Sequence, residues 1–271
     1  VYISKEAHYS SSRICDVQNL ETRMIDFNKD GSMDIECFRK SLVKDRPALI
    51  VGAIGSTFMG AIDDIKAIKK VLEEVKPLGY YIHIDAALFG GYLPFTKYKD
   101  IVSMEKQGYD SIAISGHKFF GIDEPCGLFL ATKKVIESQT AAKVEYLHND
   151  MPLISCSRSG LAPLKFYWII KYLGFEKLKE EANEMLENTE YFQKRFDEIN
   201  YPAWHMKYSN TIFFKRPPLW MREKYSLANG VLPDYGGELS HVVVMQHVKK
   251  KIIDEFIDDL LSSQSKKTIN I

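Results

Sequence analysis

The position best suited to covalent chemistry is a lysine that directly follows an apolar run. Lys118 closes Ser115-Gly116-His117-Lys118, after Ser111–Ile114 and before Phe119-Phe120. A neighbouring potential cation and flanking aromatic rings predict a partly desolvated amine, the form that condenses with an aldehyde to an imine. Asp85 is its expected partner. It ends Tyr81-Ile82-His83-Ile84-Asp85 and is followed by Ala86-Ala87. An acid at a buried strand end is costly unless it meets a positive charge. A protonated aromatic nitrogen is such a charge, and holding it protonated makes the ring an electron sink. A residue as small as Ala87 lets a flat ring lie close, and His8, in Ala7-His8-Tyr9-Ser10, could stack on its face. Gly55-Ser56-Thr57 offers hydroxyls and backbone N–H groups, and Ser115 and His117 could hydrogen-bond a phosphate. Each residue also has a plainer reading: Lys118 as a solvated lysine, Asp85 as a helix cap, Ala87 as packing, His8 as a loop histidine and Gly55–Thr57 as a turn.

These residues need a scaffold that gathers them. Ala48-Leu49-Ile50-Val51-Gly52-Ala53-Ile54 is a near-continuous apolar run before Gly55, as in a strand buried on both faces of a parallel sheet. Val1–Ser4, Arg23–Asp26, Tyr80–Ile84 and Ser111–Ile114 predict further strands, and Gly127–Ala131 one that runs antiparallel. Asp34 is expected to cap a helix reaching Val43, and Ala61–Val75 has helical periodicity. Alternating strands and helices predict an α/β fold, a mainly parallel sheet flanked by helices. Ligands bind such sheets at the carboxyl ends of the strands, where Thr57, Asp85 and Ser115–Lys118 all fall. Beyond residue 160, helices over Ala162–Gly174 and Phe175–Ile199, strands over Tyr208–Phe214 and His241–Met245, and a helix over Lys249–Leu261 predict a small α+β domain. Residues 1–160 would be the large domain, and 161–271 the linking helices and the small domain. Ser262–Ile271 is polar and is expected to fray.

Bulk properties narrow the setting. Acidic and basic residues balance at 36 each in 271 residues, so no basic surface for nucleic acid or anionic membrane is expected. No apolar run is long enough for a transmembrane helix. Four scattered cysteines make neither a CxxC metal pair nor a disulfide scaffold, which suits a reducing cytoplasm. No metal is expected. The chain begins on Val1, already inside a strand pattern, and reads as part of something longer.

Taken together, Ala7–Ser10, Gly55–Asp64, His83–Ala87 and Ser115–Phe119 resemble the group II pyridoxal-phosphate-dependent amino acid decarboxylases, in the histidine decarboxylase branch that includes plant serine decarboxylases. The resemblance extends over nearly the whole chain, through Ser157-Arg158-Ser159-Gly160 to His241-Val242-Val243-Val244-Met245. It implies an aspartate-aminotransferase-like fold, normally a homodimer with sites at the subunit interface. It implies that Lys118 carries pyridoxal phosphate as an imine, that Asp85 pairs with the pyridine nitrogen, and that His8 and Ala87 sandwich the ring. Ser115 and His117 would help hold the cofactor. The reaction implied is decarboxylation of an amino acid, histidine first and serine next.

Departures from the family pattern bear on this expectation. The family has a region ahead of the position of Val1, with a Gly-rich segment that grips the phosphate. Ser159 and Leu161 stand where the branch has Asn and His, and hydroxyl residues usual around Met151-Pro152 are replaced. The family often draws the acid that reprotonates the product from a mobile loop, and Asn149–Met151 lies in a suitable region. Two other readings stay open. One is a truncated or inactive homologue serving as a pairing subunit. The other is a lyase or transaminase on the same fold.

Overall fold

The computed structural model describes residues 1–138, 142–144, 149–151 and 158–268. Six strands make the large sheet: β1 (Tyr2–Ser4), β2 (Arg23–Ile25), β3 (Pro47–Ala53), β4 (Gly79–Asp85), β5 (Ser111–Ser115) and β6 (Gly127–Ala131). Their order is β2-β1-β3-β4-β5-β6, parallel throughout except at β6, which runs antiparallel to β5. The antiparallel edge follows from chain length, since the segment from Ser115 to Gly127 contains no helix that could cross back over the sheet.

Helices α1 (Tyr9–Val17), α2 (Ile35–Ser41) and α3 (Ile65–Val75) follow β1, β2 and β3. Asp34 caps α2 by accepting from the N–H groups of Glu36 and Cys37. The third helix starts at Ile65, four residues later than its apolar pattern suggests. Gly60 has φ +67, Ile62 bridges back to Ile54, and Asp64 caps by accepting from Ala67 N–H. Its buried residues Ile65, Ile68, Val71 and Leu72 sit at helical spacing against the sheet. Each such side chain contributes about 1.5–3 kcal/mol as an upper estimate.

Short helices α4 (Phe89–Tyr92), α5 (Met104–Gln107) and α6 (Lys133–Glu137) decorate the large sheet, and β7 (Ala142–Val144) pairs with β8 (Asn149–Met151). The long α7 (Leu161–Glu198) breaks at Gly174, where φ 74 and ψ 167 are not helical, so the two helices expected from sequence are both present. Its second half buries Leu178, Ala182 and Met185 in the large core. Further on, Phe192 and Phe196 enter a second core.

That second core lies under an antiparallel sheet of order β11-β12-β10-β9, formed by β9 (Ala203–His205), β10 (Thr211–Lys215), β11 (Ala228–Leu232) and β12 (Gly237–Val243). Helices α8 (Leu219–Lys224) and α9 (Lys250–Thr268) complete it. The last helix continues well past Leu261, because Ile253, Phe256, Ile257 and Leu260 anchor it in the core and the polar residues beyond simply extend it. A third cluster joins Met59 and Ala61, from the turn after β3, to Phe213, Leu232 and Leu239 of the small sheet. Tyr92 Oη donates to the Tyr208 carbonyl at 2.9 Å, a further tie between the two layers. Among the described residues no helix is long and apolar enough to cross a membrane.

Candidate functional site

Parallel strands all end on the same side, and the segments that leave β1, β3, β4 and β5 meet there. A cavity of ≈ 960 Å³ opens at this edge. His8, Thr57, Asp85, Ala87, Ser115, His117 and Lys118 all line it. Every residue singled out from sequence for cofactor chemistry therefore faces one space.

The backbone around these side chains is tightly pinned. Ala86 N–H donates to the Ala113 carbonyl at 3.0 Å, and Ser115 N–H to the Ala87 carbonyl at 2.9 Å, so the ends of β4 and β5 are stitched together. Asp85 is half-buried. Its Oδ1 accepts from Ala87 N–H at 3.1 Å, while Oδ2 makes no hydrogen bond among the described residues. Beyond β5, Gly116 N–H donates to the Cys126 carbonyl at 2.8 Å, and Gly121 N–H to the Lys118 carbonyl at 3.0 Å. Phe119 is buried against Tyr92 and Phe95 and anchors this turn. His117 and Lys118 are exposed. The desolvation expected for Lys118 from its flanking rings is not present, because Phe119 turns into the core and leaves the lysine at the cavity mouth.

His8 caps α1, with Nδ1 accepting from Ser10 N–H at 3.3 Å and lying 2.7 Å from Ser10 Oγ. The turn from Gly55 to Gly60 is held by Glu6, whose Oε1 accepts from Met59 N–H at 3.1 Å and Ser56 Oγ at 3.3 Å. Burial pushes the Glu6 carboxyl above its ordinary range against the pull of these bonds. Glu6 thus links the segment carrying His8 to the one carrying Thr57.

Among the cavity residues assigned no role from sequence, Ser10, His83 and His241 carry polar groups that bear on the site. Ser10 orients His8. His83 lies two residues before Asp85, on the same face of β4. Its Nδ1 is 2.8 Å from Ser111 Oγ, which also accepts from Tyr81 Oη at 2.7 Å, and burial pulls its imidazole below the ordinary value while Asp85 opposes this. Strand alternation was the available signal for it. His241 comes from the small sheet, and no local pattern could have brought it here.

The residues present fit a flat, protonated heteroaromatic ring bearing an aldehyde. Asp85 keeps one carboxylate oxygen open, His8 offers a ring face, Ala87 offers a methyl, and Lys118 offers an exposed amine. Among the described residues no cluster could hold a metal ion.

A mostly parallel sheet beside a smaller antiparallel one, with a lysine and an aspartate lining one cavity at its open edge, is the arrangement of aspartate-aminotransferase-type pyridoxal-phosphate enzymes. Solved structures agree on the fold. L. brevis glutamate decarboxylase matches with TM-score 0.81 at 19% identity, over 97% of this chain and 65% of that one. L-Methionine decarboxylase from Streptomyces sp. 590 matches with TM-score 0.78 at 20% identity, over 96% and 70%. The sequence goes further. The pyridoxal-dependent decarboxylase conserved domain matches residues 1–203. Histidine decarboxylase of Vibrio anguillarum is 35% identical, over 96% of this chain and 68% of that protein. Serine decarboxylase 1 of Oryza sativa is 32% identical, over 98% of this chain but only 54% of that protein. The chain belongs to the pyridoxal-dependent decarboxylase family, and its class is that of carboxy-lyases using pyridoxal phosphate.

Proposed function

We propose that this chain decarboxylates an amino acid with a polar side chain, histidine first and serine next, through Lys118. The observation that carries the reading is the convergence of Lys118, Asp85, His8 and Ala87 on one cavity at the carboxyl ends of the strands. Both substrates are those named for relatives that align with nearly the whole chain.

When bound, pyridoxal phosphate supplies an aldehyde for the amine and a protonated ring that takes up the electrons of the breaking Cα–carboxylate bond. Lys118 Nζ would hold the cofactor as an imine and would supply the amine that competes with the substrate's amine for it. Asp85, through its open Oδ2, keeps the ring nitrogen protonated. His8 and Ala87, which line the same cavity, would pack against the cofactor ring and limit its movement. Ser115, His117 and Thr57 supply hydrogen-bonding groups to the cofactor's edge. Of the stretch around Met151–Leu161 that departs from the family pattern, residues 152–157 lie outside the described residues.

The working unit is a homodimer, and the protein acts in the cytoplasm. Supporting the first is an exposed apolar stripe on the first half of α7, formed by Leu161, Leu164, Trp168 and Tyr172, with exposed Phe175 just past the break. Such a stripe on a helix asks for a cover. The few scattered cysteines support the second. Residues 1–160 serve as the cofactor-binding domain and 161–271 as linking helices and small domain. In support, the large sheet ends at Ala131 and the small one begins at Ala203.

The test is product analysis. The purified protein, loaded with pyridoxal phosphate, is given a panel of amino acids. Release of CO2 with histamine or ethanolamine is expected. Keto acids without CO2 would instead support a transaminase.

A further inference from the structure

The wall of the cavity facing the large sheet is built by the small sheet. Thr211 on β10 pairs with Val243 on β12, and strand alternation puts His241 on the same face as Val243. These three and Met245 all line the cavity. The wall is tied to the lysine turn, because Gln246 Nε2 donates to the carbonyl of Phe119, the residue after Lys118, at 2.7 Å.

His241 is held in one orientation. Its Nδ1 lies 2.8 Å from the Phe58 carbonyl. A carbonyl only accepts, so Nδ1 carries the hydrogen. The imidazole also stacks on the Phe58 ring, with centroids 4.6 Å apart and planes at 22°. Phe58 cannot easily drift, since Glu6 holds the next residue's N–H. Burial pulls the His241 imidazole below its ordinary value, which keeps it neutral at neutral pH. A neutral ring with its hydrogen on Nδ1 leaves a lone pair on Nε2, and Nε2 makes no hydrogen bond among the described residues.

We infer that His241 determines specificity, its Nε2 accepting a hydrogen bond from the substrate's side chain and so selecting amino acids that carry an N–H or O–H donor there. This deepens the proposed function and rests on it. Val243 and Met245 receive the carbon portion of the side chain. A donor-free side chain such as a thioether leaves Nε2 unpaired in a partly dry wall. Leaving that acceptor unpaired costs about the worth of one hydrogen bond.

The test uses the whole chain loaded with pyridoxal phosphate and the methyl esters of histidine, serine and methionine, which have no free carboxylate to lose. Binding is read from the change in cofactor absorption, without turnover. Wild-type protein is expected to bind the histidine and serine esters more tightly than the methionine ester. His241→Phe keeps a ring against Phe58 but removes the acceptor. It should weaken the first two esters about tenfold, the effect of one good hydrogen bond, and leave the methionine ester within about twofold. Equal weakening of all three, or discrimination that survives in His241→Phe, overturns the role of His241 alone. Failure of wild-type protein to prefer the donor-bearing esters overturns the proposed substrate class together with it. Should His241→Phe lose cofactor, imidazole nitrogen NMR of the wild-type holoprotein decides. The Nε2 resonance should move upfield with the histidine ester and stay in place with the methionine ester; no movement with either overturns the inference.

Discussion

Asp85 and Lys118 are brought together by adjacent parallel strands: Asp85 pairs with Ala113 on β5, and the turn continuing β5 carries Lys118 into the cavity that Asp85 lines. The aspartate is half-buried with one oxygen fixed by Ala87 N–H and the other open. Its charge therefore has a set direction before any ligand arrives.

Removing that charge while keeping the shape isolates its contribution. Asp85→Asn is expected to lower kcat about a hundredfold or more, the scale on which loss of one partner from a partly buried charge pair acts. Steady-state amine release checks this. A variant that turns over at the wild-type rate would remove Asp85 from the chemistry.

The turn after β3 has no room for a side chain at Gly55. Its φ is +96, and a Cβ there would overlap the Phe89 ring. Gly55→Ala is expected to cost about 2–4 kcal/mol, combining a disfavoured backbone angle with overpacking. Urea unfolding measures it, and a loss under about 0.5 kcal/mol would mean that the turn relaxes freely.

Asp63 gives the fold a pH signature. It is fully buried, accepts from Met33 N–H at 2.6 Å and Ala53 N–H at 2.7 Å, and burial nevertheless pushes its carboxyl up to about 6 from 3.8. The folded chain thus holds this proton more tightly than the unfolded one. The stability linked to it is fully present below about pH 4 and is lost as pH rises through 6. Asp63→Asn cannot titrate. The stability of wild type relative to Asp63→Asn should therefore fall by about 2 kcal/mol between pH 4.5 and 7. A difference that stays flat over this range would mean that Asp63 does not titrate there.

The apolar stripe on α7 provides a test of assembly. Trp168 and Tyr172 stack at 5.8 Å and are 64% and 74% exposed. The double substitution Leu164→Glu with Trp168→Glu is expected to shift the protein to monomer in sedimentation velocity. If wild type and variant sediment alike, the stripe is not the covered face.

How far the sequence carried depended on the range of the forces involved. The central strands were legible because burial on both faces leaves unbroken apolar runs, as from Ala48 to Ile54. The break at Gly174 was legible because only glycine readily takes such an angle inside a helical pattern. The start of α3 was not, since Ile62 and Asp63 look helical in spacing but are used by a bridge to Ile54 and by two backbone N–H groups. Strand β11 has no clear local signal, since Asn229-Gly230 interrupts its apolar pattern and its conformation is fixed by pairing with Ser240 and Leu239. At the site, residues at strand ends could be foreseen because parallel strands collect them on one side. The exposure of Lys118 and the presence of His241 could not, since both follow from how Phe119 and the small sheet pack.

The most direct measurement is chemical. Holoprotein is reduced with borohydride, digested and mapped by mass spectrometry, with Lys118→Ala in parallel. A pyridoxyl group on the peptide containing Lys118, absent from the variant, is the expected result. A pyridoxyl group fixed on a different lysine, or a cofactor spectrum unchanged by Lys118→Ala, would contradict the role given to Lys118 and the function built on it.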